Sequence, residues 1–248
     1  MPLTIKRWLN ECLVRISGYF IYLDTLKILA FDTSTEYCSA ALWLDGKICN
    51  KEILAGRRHS ELLLSMLQEL LAESELSLTR LDGIAYGAGP GSFTGLRIAC
   101  GVAQGLAFAS NLAVVGVSTL EAVAQGAGHH QVVVALDARM GEIYHAAYMK
   151  LAESWKAVTA PTLCQPEQAP SLSDGHWIGC GSGFDVYSKE LSALYGEHLL
   201  HIKRGMHPHA QEIAQLAVPK FVSKSAIDPM DATPIYIRNK IALKENER

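Results

Sequence analysis

Short apolar runs separated by polar turns mark the first strands of the chain. One run covers 28–31, and two more, 38–44 and 47–54, flank the dipeptide Asp45-Gly46. An Asp-Gly pair between two such runs is the strongest short-range signal for a two-residue hairpin. The pattern therefore predicts three consecutive strands after residue 27, the last two joined as a hairpin.

A helical period replaces the strand pattern between about 60 and 73. Apolar residues recur there at i, i+3, i+4 and i+7, and further leucines widen the stripe beyond one face. The four residues of the stripe are Leu63, Met66, Leu67 and Leu70. Ser60 is placed to cap this helix, and Glu61 suits the positive end of its dipole.

Two further strand–helix units follow. A strand around Ile84 leads into a helix over 92–109, and a strand over 113–117 leads into a further helix. Ser118-Thr119-Leu120-Glu121 is a capping box that opens this last helix. Three strands followed by alternating helices and strands are typical of a mixed sheet with helices packed on it, as in ribonuclease-H-like domains.

The pattern then begins again. Residues 133–139 mirror 28–34, because in each an apolar strand ends at an aspartate and a short turn follows. An alanine pair lies in the next strand of each unit, and 179–183 repeats the step from strand to glycine-rich turn to helix. Several matches at corresponding places indicate a duplicated fold.

We therefore expect an α/β protein with a duplicated ribonuclease-H-like, actin-like (ASKHA) fold. Its two lobes, each a mixed β-sheet flanked by helices, are predicted at 27–128 and 129–232, and a C-terminal segment at about 233–245 is expected to pack back on the first lobe. Residues 1–26 are interpreted as an appended or mis-assigned start; a short partner-binding helix is the alternative. They contain no apolar core of signal-peptide length.

Composition adds limits on class and compartment. With 49% hydrophobic and 19% charged residues, the chain resembles soluble globular proteins. A net charge of −3 and a pI near 6.3 do not indicate that the chain as a whole binds nucleic acid, although a local basic face stays possible. The six cysteines are scattered without a CxxC pair, which favours reduced thiols in a cytoplasmic protein. The uncharged stretch 98–117 is broken by Ser110 and Asn111, so we predict a buried helix and strand there and no membrane contact.

The glycine-rich stretch 87–97 is the first candidate for chemistry. A strand, a glycine-rich turn and a helix start bring backbone N–H groups and a helix dipole together, as in anion-binding sites. However, Gly95-Leu96 follows Thr94 where a Walker loop needs Gly-Lys-Ser/Thr, and the glycine spacing does not fit the dinucleotide pattern either.

Two turns are candidates for nucleotide binding. In the actin-like architecture, paired strand–turn loops hold ATP phosphates and a divalent metal, and here the corresponding turns supply Asp32, Thr33, Ser34 and Asp137. Asp32 could ligate metal or position phosphate, or it could cap its own turn. Arg139 makes the second turn unusual for phosphate binding because it is bulky and replaces glycine.

Histidines give weaker signals. His198 and His201 have helical spacing, and His207 lies two residues before His209, but neither pair has a clear third ligand, so solvated histidines are favoured over a metal site. His59-Ser60-Glu61 could be misread as a hydrolase constellation. Adjacent residues at a helix start point in different directions, so helix capping is the preferred reading.

Five motifs together resemble the TsaB (YeaZ) family, over about residues 27–243. They are Ile28-Leu29-Ala30-Phe31-Asp32-Thr33-Ser34-Thr35, Arg58-His59-Ser60-Glu61-Leu62-Leu63, Gly89-Pro90-Gly91-Ser92-Phe93-Thr94-Gly95-Leu96-Arg97-Ile98, Asp137-Ala138-Arg139-Met140-Gly141-Glu142-Ile143-Tyr144 and Thr233-Pro234-Ile235-Tyr236-Ile237-Arg238-Asn239. The resemblance implies a bacterial protein that takes part in threonylcarbamoyladenosine synthesis in tRNA. In that pathway the catalytic relative TsaD, with TsaB and the ATPase TsaE, transfers a threonylcarbamoyl group from threonylcarbamoyl-adenylate to N6 of the adenosine beside the anticodon.

The resemblance also implies that this chain is a non-catalytic copy. In TsaD a His-x-x-x-His pair that binds metal follows the strand matching 113–117. Thr119 and Val123 hold those positions here. Since valine offers no lone pair, we expect no metal site in this chain. ATP or ADP with a divalent metal is expected, if at all, at the level of the complex.

Two helices predict an interface. The helix over 93–109 has one charge and small residues on several faces, and the leucine stripe is too wide for a single contact, so burial against another subunit is expected. A larger intramolecular core is the alternative. By resemblance, the family uses these helices to pair with TsaD, and with itself when TsaD is absent. The predicted interface residues are His59, Leu63, Met66, Leu67, Leu70, Arg97, Gly101 and Gly105, with Arg97 pairing with a carboxylate or reaching an anion.

These expectations describe a pseudo-enzyme that serves as scaffold in a tRNA-modifying complex. Its expected partners are a TsaD-like subunit, a TsaE-like ATPase and a second copy of itself, with tRNA reached only through the complex. A self-sufficient actin-like ATPase or kinase is the alternative, and a peptidase is a more remote one.

Overall fold

In the computed structural model, the described residues are 14–16, 19–21, 26–152 and 154–238. Strands β1 (Val14–Ile16) and β2 (Tyr19–Ile21) pair with each other antiparallel. A partner-binding helix was the alternative prediction for part of 1–26. It is wrong at the positions of these two strands, and the rest of that segment lies outside the described residues.

A five-stranded mixed sheet follows. Its strands are β3 (Lys27–Asp32), β4 (Tyr37–Leu44), β5 (Lys47–Leu54), β6 (Gly83–Gly89) and β7 (Ala113–Ser118), in the spatial order β5-β4-β3-β6-β7. The first three strands are antiparallel, whereas β3, β6 and β7 run parallel. The predicted hairpin is confirmed: Asp45 and Gly46 both have positive φ, as a type I′ turn requires.

The second sheet repeats this topology. Its strands are β8 (Gln131–Arg139), β9 (Glu142–Leu151), β10 (Ser154–Cys164), β11 (Trp177–Cys180) and β12 (Leu199–Lys203), in the order β10-β9-β8-β11-β12. Again the first three strands are antiparallel and the last two run parallel to the first. The predicted duplication is therefore confirmed strand by strand.

In the described part of the chain, six α-helices cover the sheets. They are α1 (His59–Glu73), α2 (Phe93–Ser110), α3 (Thr119–Ala127), α4 (Ser182–Val186), α5 (Ser188–Tyr195) and α6 (Ala210–Val222). Helices α1 and α2 pack on the outer face of the first sheet and α6 on its inner face. In the second lobe, α3 packs on the inner face and α4 with α5 on the outer face. Because α3 and α6 also contact each other, the two lobes share a helical layer.

The shared layer crosses the predicted boundary at residue 128. Helix α3 precedes this position yet packs on the second sheet, and α6 follows it yet packs on the first. A division at 128/129 thus separates the sheets but not the helices, and the assignment of domains stays a prediction.

Side chains cap the starts of three described helices, α2, α3 and α6, the last through His209 Nδ1, which accepts from the Gln211 amide at 3.2 Å. The Ser92 and Ser118 hydroxyls accept hydrogen bonds from the amides of Gly95 and Glu121, so serines cap α2 and α3. The predicted Ser60 cap is wrong. Helix α1 begins one residue earlier, at the buried His59, with no side-chain cap at Arg58.

The uncharged stretch 98–117 divides into the end of α2 and most of β7, as predicted. Within the described ranges, no helix combines the length and the apolar character needed to cross a membrane.

Candidate functional site

A cleft between the lobes holds a cavity of about 520 Å³. Corresponding parts of the two lobes line it: Ser34 and Asp137 from the turns after β3 and β8, and Ser92 and Ser182 from the two glycine-rich turns. The C-terminal residues up to Arg238 close one side. The duplicated topology is what places these four turns at one cleft, because each turn follows the central strands of its own sheet.

The first turn is largely buried. Asp32 Oδ1 accepts hydrogen bonds from the Ser34 amide at 2.9 Å and from its hydroxyl at 2.7 Å, so the carboxylate caps its own turn. Thr33 Oγ1 donates to the carbonyl oxygen of Gly95 at 2.7 Å. Asp32 and Thr33 are inaccessible to solvent, whereas Ser34 and Thr35 line the cavity.

Burial also changes the ionisation of Asp32. Its Oδ2 atom has no hydrogen-bond partner among the described residues. Desolvation is the largest effect and raises the pKa of Asp32 to about 6, partly offset by the bonds from Ser34. Burial therefore favours the neutral form of this carboxyl, and its one satisfied oxygen is used by the turn itself.

The glycine-rich stretch 87–97 packs against that turn. A Cβ atom on Gly95 would lie 1.8 Å from the Thr33 carbonyl oxygen, and one on Gly91 would lie 2.7 Å from that of Ser34. The Ser92 amide donates to the Ser34 carbonyl at 2.8 Å. One backbone group expected to hold an anion, the Ser92 amide, is thus engaged with the chain's own backbone. At these positions, glycine is needed for close backbone approach.

In the second turn, Arg139 neutralises the charge of Asp137. Asp137 Oδ1 accepts a hydrogen bond from the Arg139 amide at 2.9 Å, and its Oδ2 lies 3.0 Å from Arg139 Nη1. The Asp137 amide in turn donates to Ser182 Oγ at 3.0 Å. The structure therefore brings Ser34 and Asp137 to one cavity and leaves Asp32 and Thr33 behind its wall. Nucleotide binding by these four residues stays a prediction.

Core packing occupies the positions matched to the metal-binding histidines of TsaD. Thr119 is buried and donates a hydrogen bond to the carbonyl oxygen of Pro90, which fixes the glycine-rich turn against α3. Val123 is buried in the second lobe. Among the residues that the structure describes, no group of three or more His, Cys, Asp or Glu side chains is arranged to hold a metal ion.

His59, Ser60 and Glu61 do not form a hydrolase site in the described structure. His59 is buried and its Nδ1 has no hydrogen-bond partner there, while Ser60 and Glu61 are exposed. Desolvation lowers the pKa of His59. No hydrogen bond links His59 to Ser60 within the described ranges, so nothing activates the hydroxyl.

The other histidines match the expectation in part. His198 and His201 are exposed, as predicted, although His198 lies in a short 3₁₀ turn and His201 in β12, so they do not share a helix. His207 and His209 are not freely solvated, because their Nε2 atoms lie 2.8 and 3.2 Å from Glu52 Oε2. No sequence pattern predicted that Glu52 contacts these histidines, because it is distant from them in the chain and reaches them from the edge strand β5.

The predicted interface residues fall into two groups, one buried in the first lobe and one exposed on α2. The leucine stripe and His59 are buried by the first lobe itself. Five of the predicted interface residues pack in the core of the isolated chain, and their role at an interface stays a prediction: His59, Leu63, Met66, Leu67 and Leu70. Arg97, Gly101 and Gly105 lie along the exposed face of α2 and are accessible.

Two similar lobes, each with a five-stranded mixed sheet and joined through a shared helical layer, define the class of two-lobed actin-like proteins. The family model described as "TsaD: tRNA N6-adenosine threonylcarbamoyltransferase" matches residues 52–178. The tRNA threonylcarbamoyladenosine biosynthesis protein TsaB of Escherichia coli (strain K12) is 40% identical over 89% of this chain and 98% of its own length. The Haemophilus influenzae protein of the same name is 37% identical over 90% and 98%.

Solved structures agree. YeaZ from Pseudomonas aeruginosa aligns with a TM-score of 0.79 and 34% identity, over 85% of this chain and 99% of its own. A second Pseudomonas aeruginosa structure, titled an uncharacterized protein with similarity to peptidase YEAZ, aligns with a TM-score of 0.80 over 86% and 100%. The chain belongs to the TsaB (YeaZ) family of tRNA threonylcarbamoyladenosine biosynthesis proteins.

Proposed function

We propose that this protein is a non-catalytic subunit that docks a TsaD-like transferase through the exposed face of α2. In the complex, the partner transfers the threonylcarbamoyl group from threonylcarbamoyl-adenylate to N6 of the adenosine beside the anticodon. A TsaE-like ATPase joins this assembly, and tRNA is reached through it. The isolated chain pairs with a second copy through the same face.

The observation that carries this proposal is the pair Gly101 and Gly105 on the exposed face of α2. A Cβ atom at either position would meet nothing within 4 Å. Glycine inside a helix is about 0.5–1 kcal/mol less favourable than alanine. Nothing in the described parts of the chain offsets this cost, so a partner that approaches the α2 backbone closely is the simplest reason for it.

The chemistry of the cleft supports a role without catalysis of its own. Asp32 is buried behind the wall of the cleft, and Asp137, which lines the cleft, is paired with Arg139. Thr119 and Val123, at the positions matched to metal ligands, are side chains of the core.

Reconstitution tests the proposal. Modified adenosine in tRNA is measured by mass spectrometry after incubation with TsaD-like and TsaE-like proteins of the same organism, with and without this chain. We expect modification only when the chain is present, and no metal-dependent turnover by the chain alone. Equal modification without it would contradict the proposal.

A variant pair locates the surface. Gly101→Leu places a large side chain on the exposed face of α2, where the partner is proposed to approach the backbone. The variant should abolish co-elution with the TsaD-like subunit in size-exclusion chromatography. Gly128→Leu is unsuitable as a control because Gly128 has positive φ. Ala193→Leu, at an exposed helical position on α5 in the second lobe, is the control and should retain binding.

A further inference from the structure

The chain returns from the second lobe to the first through a short crossover, which we define as residues 204–209. It begins after β12, an edge strand of the second sheet, and ends at α6, which packs on the inner face of the first sheet. The crossover histidines, His207 and His209, meet the edge strand β5 of the first sheet. The attachment of the crossover to the first lobe therefore depends on what holds these two side chains.

Glu52 lies at the centre of this contact. Its Oε2 atom is 2.8 Å from His207 Nε2 and 3.2 Å from His209 Nε2, so one carboxylate oxygen faces both rings. The His207 ring also stacks on the phenol ring of Tyr37 at the start of β4, with 4.0 Å between centroids and 7° between planes. The carboxylate and both imidazoles are 22–26% exposed, so water competes only in part for their bonds.

Hydrogen-bond accounting assigns the protons of the two rings. His209 Nδ1 accepts from the Gln211 amide at 3.2 Å, so this nitrogen is unprotonated and the hydrogen lies on Nε2, toward Glu52. His207 differs, because its Nδ1 faces the Gly205 carbonyl oxygen at 3.3 Å while its Nε2 faces the carboxylate. Both of these partners are acceptors, and a neutral imidazole has one N–H to donate. The arrangement is fully satisfied when both nitrogens of His207 carry hydrogen.

Two further carboxyls face the histidines from neighbouring elements. Asp32 is buried at the end of β3, and desolvation raises its pKa to about 6, an effect that the charge of His207 opposes and that of Glu52 reinforces. Glu212 of α6 has a pKa raised by desolvation, and its Oε2 lies 3.8 Å from His209 Nδ1. When these carboxyls ionise, the cluster holds more negative than positive groups, and such a field attracts a proton.

We propose that Glu52, His207 and His209 form a proton-dependent latch that holds the crossover on the first sheet. The closed latch binds one proton between Glu52 and His207, beyond those of an ionised carboxylate and a neutral ring. When this proton leaves as pH rises, a lone pair of His207 faces an acceptor and the latch loosens. Histidine is the side chain that ordinarily titrates between about pH 5 and 8, so the change falls in the physiological range. This inference concerns the fold and does not rest on the proposed function.

Neutral hydrogen bonds hold the start of α6 independently of the latch. The Ala210 amide donates to Ser39 Oγ at 3.0 Å, and Asn50 Nδ2 donates to Gln211 Oε1 at 2.6 Å. These groups do not titrate near neutral pH, so α6 stays on the sheet when the latch opens. Opening therefore frees the crossover without unfolding the first lobe. Because both lobes line the cleft, a freer crossover widens the range of cleft openings.

Hydrogen exchange of the full chain tests the latch at the Ala210 amide, which lies next to His209 and donates across the junction. Protection is measured at about pH 6 and about pH 8, relative to the intrinsic exchange rate at each pH. The latch stabilises the junction while its proton is bound, so its effect is present at low pH and is lost as pH rises. We expect Glu52→Gln to lower the protection about threefold to tenfold at pH 6 and less than about twofold at pH 8.

Glu197→Gln, at an exposed site in the second lobe, is the control and should match the wild type at both pH values. Asp32→Asn removes the titration of the neighbouring buried carboxyl. In that background, Glu52→Gln should still have its larger effect at the lower pH. Unchanged protection of the amides in β6 confirms that each variant is folded.

A second variant shows whether the two side chains act as one unit. His207→Phe keeps a ring to stack on Tyr37 and removes both nitrogens, so it should reproduce the effect of Glu52→Gln. The double variant should be no worse than either single variant, because each removes the same interaction. An equal effect of Glu52→Gln at both pH values would show that no proton is involved. That result, or additive effects of the two substitutions, would overturn the proposal.

Discussion

At the residue scale, Asp32 and His145 show how burial decides ionisation. Asp32 is inaccessible and its Oδ2 faces the backbone of Gly87, where no donor is available. His145 lies in the core of the second lobe, with Tyr195 Oη 2.8 Å from its Nε2, and desolvation lowers its pKa to about 4. Both groups therefore favour their neutral forms in the folded protein, and they affect stability with opposite pH dependence.

The replacement Asp32→Asn should remove a pH-dependent loss of stability. Because the folded-state pKa is raised from 3.8 to about 6, the contribution of Asp32 is fully present below pH 3.8 and is lost as pH rises through about 6. At 1.36 kcal/mol per pKa unit, the loss is up to about 3 kcal/mol. Urea unfolding between pH 4 and 7 should show the variant gaining on the wild type by this amount.

Asp45→Asn is the matched control, because Asp45 is exposed in the hairpin turn and its positive φ suits asparagine. Parallel pH curves for wild type and Asp32→Asn would contradict the assignment. The difference between curves is the relevant quantity, since His145 acts in the other direction: its depressed pKa makes the fold less stable as pH falls from 6.5 toward 4.

At the element scale, the step from β6 to α2 changes its meaning once packing is known. A strand, glycines and a helix start predict a phosphate cradle. In the fold, Gly91 and Gly95 press against the turn after β3, and Ser92 uses its amide on Ser34. The same element then presents Gly101 and Gly105 outward. The step from β6 through α2 therefore contains glycines with two purposes: Gly91 and Gly95 are internal, and Gly101 and Gly105 are external.

Two substitutions in α2 separate these purposes. Gly95→Ala should destabilise the protein by about 2–3 kcal/mol or more, because its Cβ would overlap the Thr33 carbonyl oxygen. Gly101→Ala should stabilise the isolated chain by up to about 1 kcal/mol, since the position is open and alanine is the better helix former. Urea unfolding measures both. A stabilising Gly95→Ala, or a Gly101→Ala as damaging as Gly95→Ala, would show that the two positions are not distinguished in this way.

At the scale of the whole molecule, the C-terminal strap (residues 229–238) joins the two lobes. Its Ile235 amide donates to the carbonyl oxygen of Ala88 in the first lobe. Beyond its bonds to the first lobe, Arg238 Nη2 lies 2.6 Å from Glu142 Oε2 and donates to the Ala138 carbonyl oxygen at 3.0 Å, both in the second lobe. The strap thereby spans the mouth of the cleft and contributes to its wall. The relative position of the lobes and the docking surface on α2 depend on the same segment.

Loss of the Arg238–Glu142 pair should loosen the strap without unfolding either lobe. Both side chains are partly exposed, so the pair contributes about 0.5–1 kcal/mol. Glu142→Gln should therefore speed hydrogen exchange of the Ile235 amide about twofold to fivefold. Amides of the central strand β6 should be unchanged. Glu197→Gln, at an exposed site in the second lobe, is the control, and equal effects from both variants would rule out the pair as the cause.

Much of the fold was predictable because it rests on local patterns. The hairpin at Asp45-Gly46, the helix α2 and the repetition of the β-β-β-α-β order all follow from short-range chemistry. The exchange of α3 and α6 between the sheets was not predictable, since it depends on which apolar face meets which sheet. The Ser60 cap failed for a related reason: burial of His59 started the helix one residue earlier.

The candidate site was predictable in part. The stretch 87–97 and Arg97 were identified from residue type and spacing, and Gly101 and Gly105 from the small-residue pattern. The sequence did not show that the leucine stripe packs on its own sheet, because a stripe buried by its own sheet and one buried by a partner look the same in sequence. Glu52 and Tyr236 act across long separations in the chain, and spacing carries no information about such contacts.

The sequence by itself determined the order of elements, the duplication, the resemblance to the TsaB family and the absence of histidines at positions 119 and 123, because each depends on residue identity or near neighbours. Only the tertiary structure decided which glycines are internal and that Asp32 is buried behind the wall of the cleft. It also decided that Tyr236 of the C-terminal strap accepts a hydrogen bond from Arg97. Those outcomes depend on burial and on contacts between distant segments, which exist only once the two lobes have packed.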